Sequence, residues 1–299
     1  MDLIFTDENK VEQGILTHFS LDHEEASKIG NNTFQIKIGM DVPLNLGSLV
    51  YLNGTEYGGR ITKVVTDTAK SMATYTGKTW RGLLEEKILR PNAGENYLRL
   101  TGDLNDIIKT LIIRCDMGVF FDASLDRTIE ITYQFDRYTS MLAGIQKMLA
   151  SKGYKLKMVA DDGIITLSAV PIVDFEQQTE INSDLFAFKM TRQKYTCNHI
   201  IALGSGELAE RMVVDKYIQA DGTVGDEQFY FGTEEIVDVF DYPNAESIED
   251  LTEQAVEELE SRAIADGLSI TAYDLKADVG DKVTAVDLKQ NLSVTQYVI

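Results

Sequence analysis

Over the first 77 residues, apolar positions recur at every second residue in short runs separated by turn signals, which predicts a series of short β-strands. Thr33 to Ile38 alternates and places Phe34, Ile36 and Ile38 on one face. Leu49 to Leu52 leads into Asn53-Gly54, a strong hairpin signal, and Tyr57 to Val65 and Ser71 to Thr76 continue the meander. Strands this short and this closely linked predict a small antiparallel barrel.

The period then changes. Thr79 to Leu89 reads as a short helix with Leu83, Leu84 and Ile88 inward, ended before Pro91. Asp103 to Cys115 is a clearer helix: Asp103 can cap it, and Leu104, Ile107, Ile108, Leu111 and Ile112 form a stripe at helical spacing. Thr128 to Phe135 alternates as a strand, and Tyr138 to Ala150 predicts a third helix stopped by Gly153. Tyr154 to Val159 and Ile164 to Val170 then form a hairpin around Asp161-Asp162-Gly163.

From Phe186 the strand pattern returns, with Cys197 to Leu203 and Arg211 to Gln219 flanking a loop at Gly204 to Glu210. Ala220 to Gly225 is a further turn. Ser247 opens a helix with Asp250 three residues on, a variant of the capping box. Ile248, Leu251, Ala255, Leu259 and Ala263 are expected on its inner face, Glu249, Glu253, Glu257 and Glu260 on its outer face, and Gly267 at its close. Four more strand candidates follow. The pattern therefore predicts an α+β, mainly β chain: a first β-barrel domain over 1–100, an α+β insertion module over 101–172, and a second β-barrel domain over 173–299 with a helical excursion at about 245–267.

Composition changes this picture little, and charge narrows it. Hydrophobic residues make up 44% and charged residues 25% of the 299, ordinary for a folded protein. The net charge of -20 argues against a surface that grips nucleic acid, which needs clustered Lys and Arg. It fits a wall past which DNA slides without sticking, as well as simple solubility. Met1 to Lys10 shows no secretory signal, and no apolar run is long enough to span a membrane. Cys115 and Cys197 are expected as buried free thiols, consistent with folding in a reducing cytoplasm.

No constellation predicts an active site. Gly204-Ser205-Gly206-Glu207-Leu208-Ala209 has the letters of a dinucleotide fingerprint, but the residues after it alternate as a strand where a helix is required. Asp22-His23-Glu24-Glu25, with His18 nearby, lacks metal-ligand spacing and reads as a solvated acidic turn. His199, alone between apolar residues, reads as a satisfied interior or interface histidine. Asp161-Asp162-Gly163 lacks the longer calcium-loop spacing, and neither cysteine nor any serine sits in a nucleophile motif. No catalytic, cofactor-binding or metal-binding residue is expected.

Three stretches carry a resemblance. Gly77 to Pro91 (GKTWRGLLEEKILRP) follows a pattern with Gly77, Thr79, Leu83, Leu84 and Lys87 in fixed places. Asn198 to Asp215 is similar to a central hairpin, and Val279 to Val298 follows a Gly-Asp-x-Val pattern from Gly280 to Val283 with Asp287 and Val294-Thr295 behind it. Together they resemble the tail hub family of long-tailed phages and prophages, which includes the N-terminal structural region of tail-associated lysins and prophage tail endopeptidases. The resemblance implies a non-enzymatic virion tail-tip protein, a homotrimer whose two barrels per subunit make a pseudo-sixfold ring. Its implied partners are the tail tube or distal tail protein, the tape measure protein, and a tail fibre or lysin component, with DNA transiting the lumen. Family members typically continue beyond the third stretch, so a short hub and a shortened one both remain open at Ile299. Two other readings stand beside it: the structural part of a peptidoglycan hydrolase, and a cell-wall saccharide-binding module using aromatics such as Tyr230. Trp80, the one tryptophan, lies in the first stretch, where packing explains it better.

Overall fold

A computed structural model describes residues 2–25, 32–42, 44–175, 181–182, 187–191, 196–263, 267–271, 277–290 and 292–299. The chain divides into two compact units, one of residues 1–178, 276–283 and 297–299, the other of residues 179–275 and 284–296.

The first unit opens with strands β1 (Leu3–Thr6), β2 (Glu12–Leu16), β3 (Ser20–Glu24), β4 (Thr33–Gly39), β5 (Leu49–Tyr51), β6 (Gly58–Asp67) and β7 (Met72–Thr79). They form one sheet in the order β2-β1-β5-β6-β7-β4-β3, all neighbours antiparallel. The mainly β, α+β character is as expected, but the described strands form an open sheet where a closed barrel was predicted, with β2 and β3 at its edges. Both edge strands are largely exposed, so neither presents an apolar row that would reward closure. Phe34, Ile36 and Ile38 are buried together as their alternation required.

Strand β5 is buried along its whole length. Val50 joins the core of the sheet, whereas Leu49 and Tyr51 point into a second and larger core. That core is built by α1 (Trp80–Glu85), β8 (Leu98–Asp103), α2 (Leu104–Arg114), β9 (Phe121–Ala123), β10 (Glu130–Phe135), α3 (Met141–Ala150), β11 (Tyr154–Asp161) and β12 (Ile164–Pro171). The five stripe residues of α2 are all buried in it. Each helix starts where the sequence supplies a cap: the side chains of Thr79, Asp103 and Ser140 accept from the backbone N–H groups of Gly82, Asn105 and Ala143. Helix α1 is shorter than expected, and Ile88, predicted inward, is 45% exposed because the chain has already left the helix. The residues that follow bridge to the start of α3 instead, with the Leu89 N–H donating to the Thr139 carbonyl at 2.8 Å.

The two hairpin signals of this unit dock on each other. Asp162 and Gly163 both take positive φ, as a tight hairpin turn demands. The Gly54 N–H donates to the Ala160 carbonyl at 2.8 Å, and the Asp162 N–H donates to Asn53 Oδ1 at 3.2 Å. Strand β12 also pairs in parallel with β9, an arrangement that no local pattern signals.

The second unit contains β13 (Ile181–Asn182), β14 (Ala187–Thr191), β15 (His199–Leu203), β16 (Val213–Ile218), β17 (Val224–Gly225), β18 (Val237–Asp241), α4 (Ile248–Ala263) and β19 (Gly267–Thr271). Two more strands, β20 (Lys282–Asp287) and β21 (Leu292–Tyr297), follow. The main sheet runs β17-β16-β15-β18, with β18 parallel to β15, and α4 covers one face. Leu251, Ala255, Leu259 and Ala263 meet Ile200 and Ala202 there. Ile248, expected on the same face, is half exposed and stays outside this core, although Leu251 one turn on is fully buried in it. Gly267, expected to close α4, begins β19, and residues 264–266 between it and Ala263 lie outside the described residues.

Candidate functional site

The most unusual chemistry lies in the first unit, at the segment read from sequence as a solvated acidic turn. That reading is overturned. Ser20–Glu24 is strand β3, and the side chains of His23 and Glu25 are only 5% and 9% exposed. The alternation of β3 sends Asp22 and Glu24 to the other face, so the four-residue cluster is split by strand geometry.

Helix α1 brings Arg81 to the same place, 1% exposed. Its Nε donates to Glu56 Oε1 at 2.5 Å and its Nη2 to the Leu156 carbonyl at 3.0 Å. Glu25 receives less. The Thr79 hydroxyl donates to its Oε2 at 3.0 Å, while Oε1 is buried without a hydrogen-bond partner. Burial first, and then the charge of Glu56, push the Glu25 carboxyl up to about 8, against the opposing pull of Arg81 and Thr79. The carboxyl is therefore protonated at neutral pH.

His23 Nε2 lies 3.5 Å from Glu25 Oε1, near enough for an ion pair were the ring charged. Burial, and the nearby Arg81, lower its pKa, so the ring is neutral and this contact is no salt bridge. The Gly58 N–H donates to Nε2 at 3.3 Å instead, and Tyr57 meets the ring edge-on at 5.2 Å. Glu25, Glu56, Tyr57, Lys157 and Asp278 line a cleft of about 440 Å³ beside these groups.

A second buried pair holds the returning chain on this unit. Asp281, 2% exposed, accepts from Lys155 Nζ at 2.6 Å, from the Asp278 N–H at 2.9 Å and from the Val173 N–H at 2.9 Å. Gly280 before it has φ +91, and a Cβ there would stand 3.0 Å from the Lys155 Cβ. The Gly-Asp pair singled out in the sequence is thus the point where the chain is pinned to β11.

In the second unit His199 behaves as expected. Its Nδ1 lies 2.8 Å from Glu235 Oε1 and its Nε2 2.8 Å from Asp215 Oδ1, with Tyr217 stacked at 4.3 Å. Its neighbour Asn198 holds the segment before β18 by donating to the Glu234 carbonyl and accepting from the Ile236 N–H, each at 2.8 Å. The glycine loop after β15 closes the β15–β16 hairpin, leads through a 3-10 turn at Leu208–Glu210 into β16, and offers no helix N-terminus to a pyrophosphate. Gly204 is needed for packing: a Cβ there would lie 2.9 Å from Leu251. Both cysteines are free, Cys197 buried and Cys115 half-buried, and burial pushes both thiols up. Among the described residues, no three His, Cys, Asp or Glu side chains converge as a metal would require, and no helix is long and apolar enough to cross a membrane.

No protein-family model matches the sequence, and no curated protein does. Solved structures do match. The 43 kDa tail protein of prophage MuSo2 from Shewanella oneidensis aligns with 99% of this chain and 92% of its own, with a TM-score of 0.59 at 11% identity. Prophage tail protein gp18 from Listeria monocytogenes EGD-e aligns with 99% of this chain and 88% of its own, with a TM-score of 0.51 at 12% identity. The fold is that of prophage tail proteins. A tail protein from Neisseria meningitidis MC58 aligns with 99% of this chain and 84% of its own, with a TM-score of 0.51 at 12% identity. The tail-protein fold therefore extends over both units and is retained where little sequence is shared.

Proposed function

We propose that the chain is a structural, non-enzymatic component of a phage or prophage tail, acting at the tail tip as a hub. In this reading three copies form a ring that joins the tail tube or distal tail protein to the host-contact apparatus, next to the tape measure protein and a fibre or lysin component. DNA passes through the ring without being held, and the net charge of -20 suits such a passage. The observation that carries the reading is the alignment of 99% of the chain with each of three tail proteins, across both units.

Light scattering of the purified chain is expected to give the mass of a trimer, and electron microscopy a ring with a central channel. A stable monomer at high concentration would overturn the hub. Incubation with purified cell walls is expected to release no muropeptides; their release would replace the structural role with a hydrolytic one.

A further inference from the structure

The cleft beside Glu25 is built differently from an ordinary solvated acidic patch. Glu25 is nine-tenths buried, and its Oε1 has no hydrogen-bond partner among the described residues. Arg81, whose charge acts on Glu25, is already committed to Glu56 and the Leu156 carbonyl, and His23 already accepts from the Gly58 N–H. Tyr57, half exposed, lines the same cleft.

We propose that this cleft is a receptor for a basic side chain, the ammonium of a lysine or the guanidinium of an arginine, presented by a partner protein. The incoming cation would donate to Glu25 Oε1 and lie against the ring of Tyr57, the combination by which proteins recognise such groups. The charged groups around Glu25 are Glu56 on the β5–β6 connection, Arg81 on α1, Lys157 on β11 and Asp278 on the returning segment, with neutral His23 on β3. Asp278 lies 3.4 Å from Lys155 and Glu56 is paired with Arg81, so Glu25 is the carboxylate left to balance an added charge. With Glu25 protonated up to about pH 8, one proton leaves for each cation bound, and net charge in the cleft is unchanged. The partner's hold on this face thereby becomes dependent on pH. The cleft would act in this way whether or not the chain sits in a tail.

The probe is a blocked Gly-Lys-Gly tripeptide, with its norleucine counterpart as control, added to the full chain carrying carbon-13 at its glutamate carboxyls. The lysine peptide is expected to ionise the Glu25 carboxyl at pH 7, and its apparent affinity to fall about tenfold for each pH unit below about 8. Glu25→Gln, which keeps the shape and loses the ionisable proton, is expected to abolish both effects. Equal binding of the norleucine peptide, or lysine-peptide binding without ionisation of Glu25, overturns the proposal, as does no binding at all. The labelled wild type answers the question even if the variant fails to fold. Self-association that Glu25→Gln abolishes and the peptide blocks would assign the cleft to a second copy of this chain and overturn the separate partner.

Discussion

Glu25 and Asp103 are two carboxyls of the same unit with opposite environments, and they give the protein opposite responses to pH. Glu25 is raised by burial and by Glu56, so its protonated form is the folded form; its contribution is fully present below the unfolded value of about 4.5 and is lost as pH rises towards about 8. Asp103 is opposed by burial, but the N–H groups of Thr128 and Asn105 and the Thr128 hydroxyl outweigh it and lower its pKa. Its contribution is present above the unfolded value and lost as pH falls. Replacing Glu25 with Gln is therefore expected to stabilise the first unit at pH 8 and above, by up to a few kcal/mol, since holding a carboxyl tenfold more weakly acidic than in the unfolded chain costs about 1.4 kcal/mol once it must ionise. Urea melts across pH 5 to 9 check it: the wild type should lose stability over this range, and the variant's curve should be flatter. An unchanged slope would mean that Glu25 is already solvated.

Among the elements, helix α2 shows how local and distant causes combine. Its stripe and cap were legible, because both lie within 13 residues of sequence. The Asp103 carboxylate also holds Thr128, at 2.6 Å to its N–H, so the cap closes the loop that leads into β10. Asp103→Ala is expected to cost more than the ~1 kcal/mol of an ordinary cap, on the order of 2–3 kcal/mol, read from the denaturant midpoint. A similar argument applies where β6 and β7 pair. A Cβ on Gly77 would lie 2.1 Å from the Arg60 carbonyl oxygen and 2.6 Å from the Phe34 ring. Backbone and a buried ring cannot both give way, so Gly77→Ala should destabilise the sheet by about 2 kcal/mol or more, with loss of soluble expression as the first symptom. The motif from Gly77 to Leu84 was conspicuous in the sequence; its physical content is a close strand approach, a cap at Thr79 and two buried leucines.

At the level of the whole molecule, the chain leaves the first unit and comes back to it, and Asp281 fixes the return. Lys155 and Asp278 are 123 residues apart in sequence, and Asp281 is farther still. Breaking a buried pair by removing one partner costs about 3–5 kcal/mol, because the other charge stays buried. Asp281→Ala should therefore lower the melting temperature of the first unit and expose residues 276–283 to proteolysis. Lys155→Met with Asp281→Leu, which removes both charges, should restore much of the loss. If the single variant is as stable as the wild type, the clasp contributes nothing to the return.

Periodicity by itself determined the helices, their buried stripes and caps, the two hairpin turns and the mainly β character, because each rests on residues within a few positions of one another. The same locality explains the errors at Ile88, where the helix ended sooner than the pattern implied, and at Ile248, which stays outside the core its spacing pointed to. Only the tertiary structure decided that the first sheet stays open, that β18 pairs in parallel with β15, and that Asp281 meets Lys155. It also decided the fate of Asp22-His23-Glu24-Glu25. From the letters alone a run of charge belongs in water, but Glu56 and Arg81 arrive from other elements to bury half of it. Burial is set by what packs above a strand, and a strand's own sequence does not carry that information.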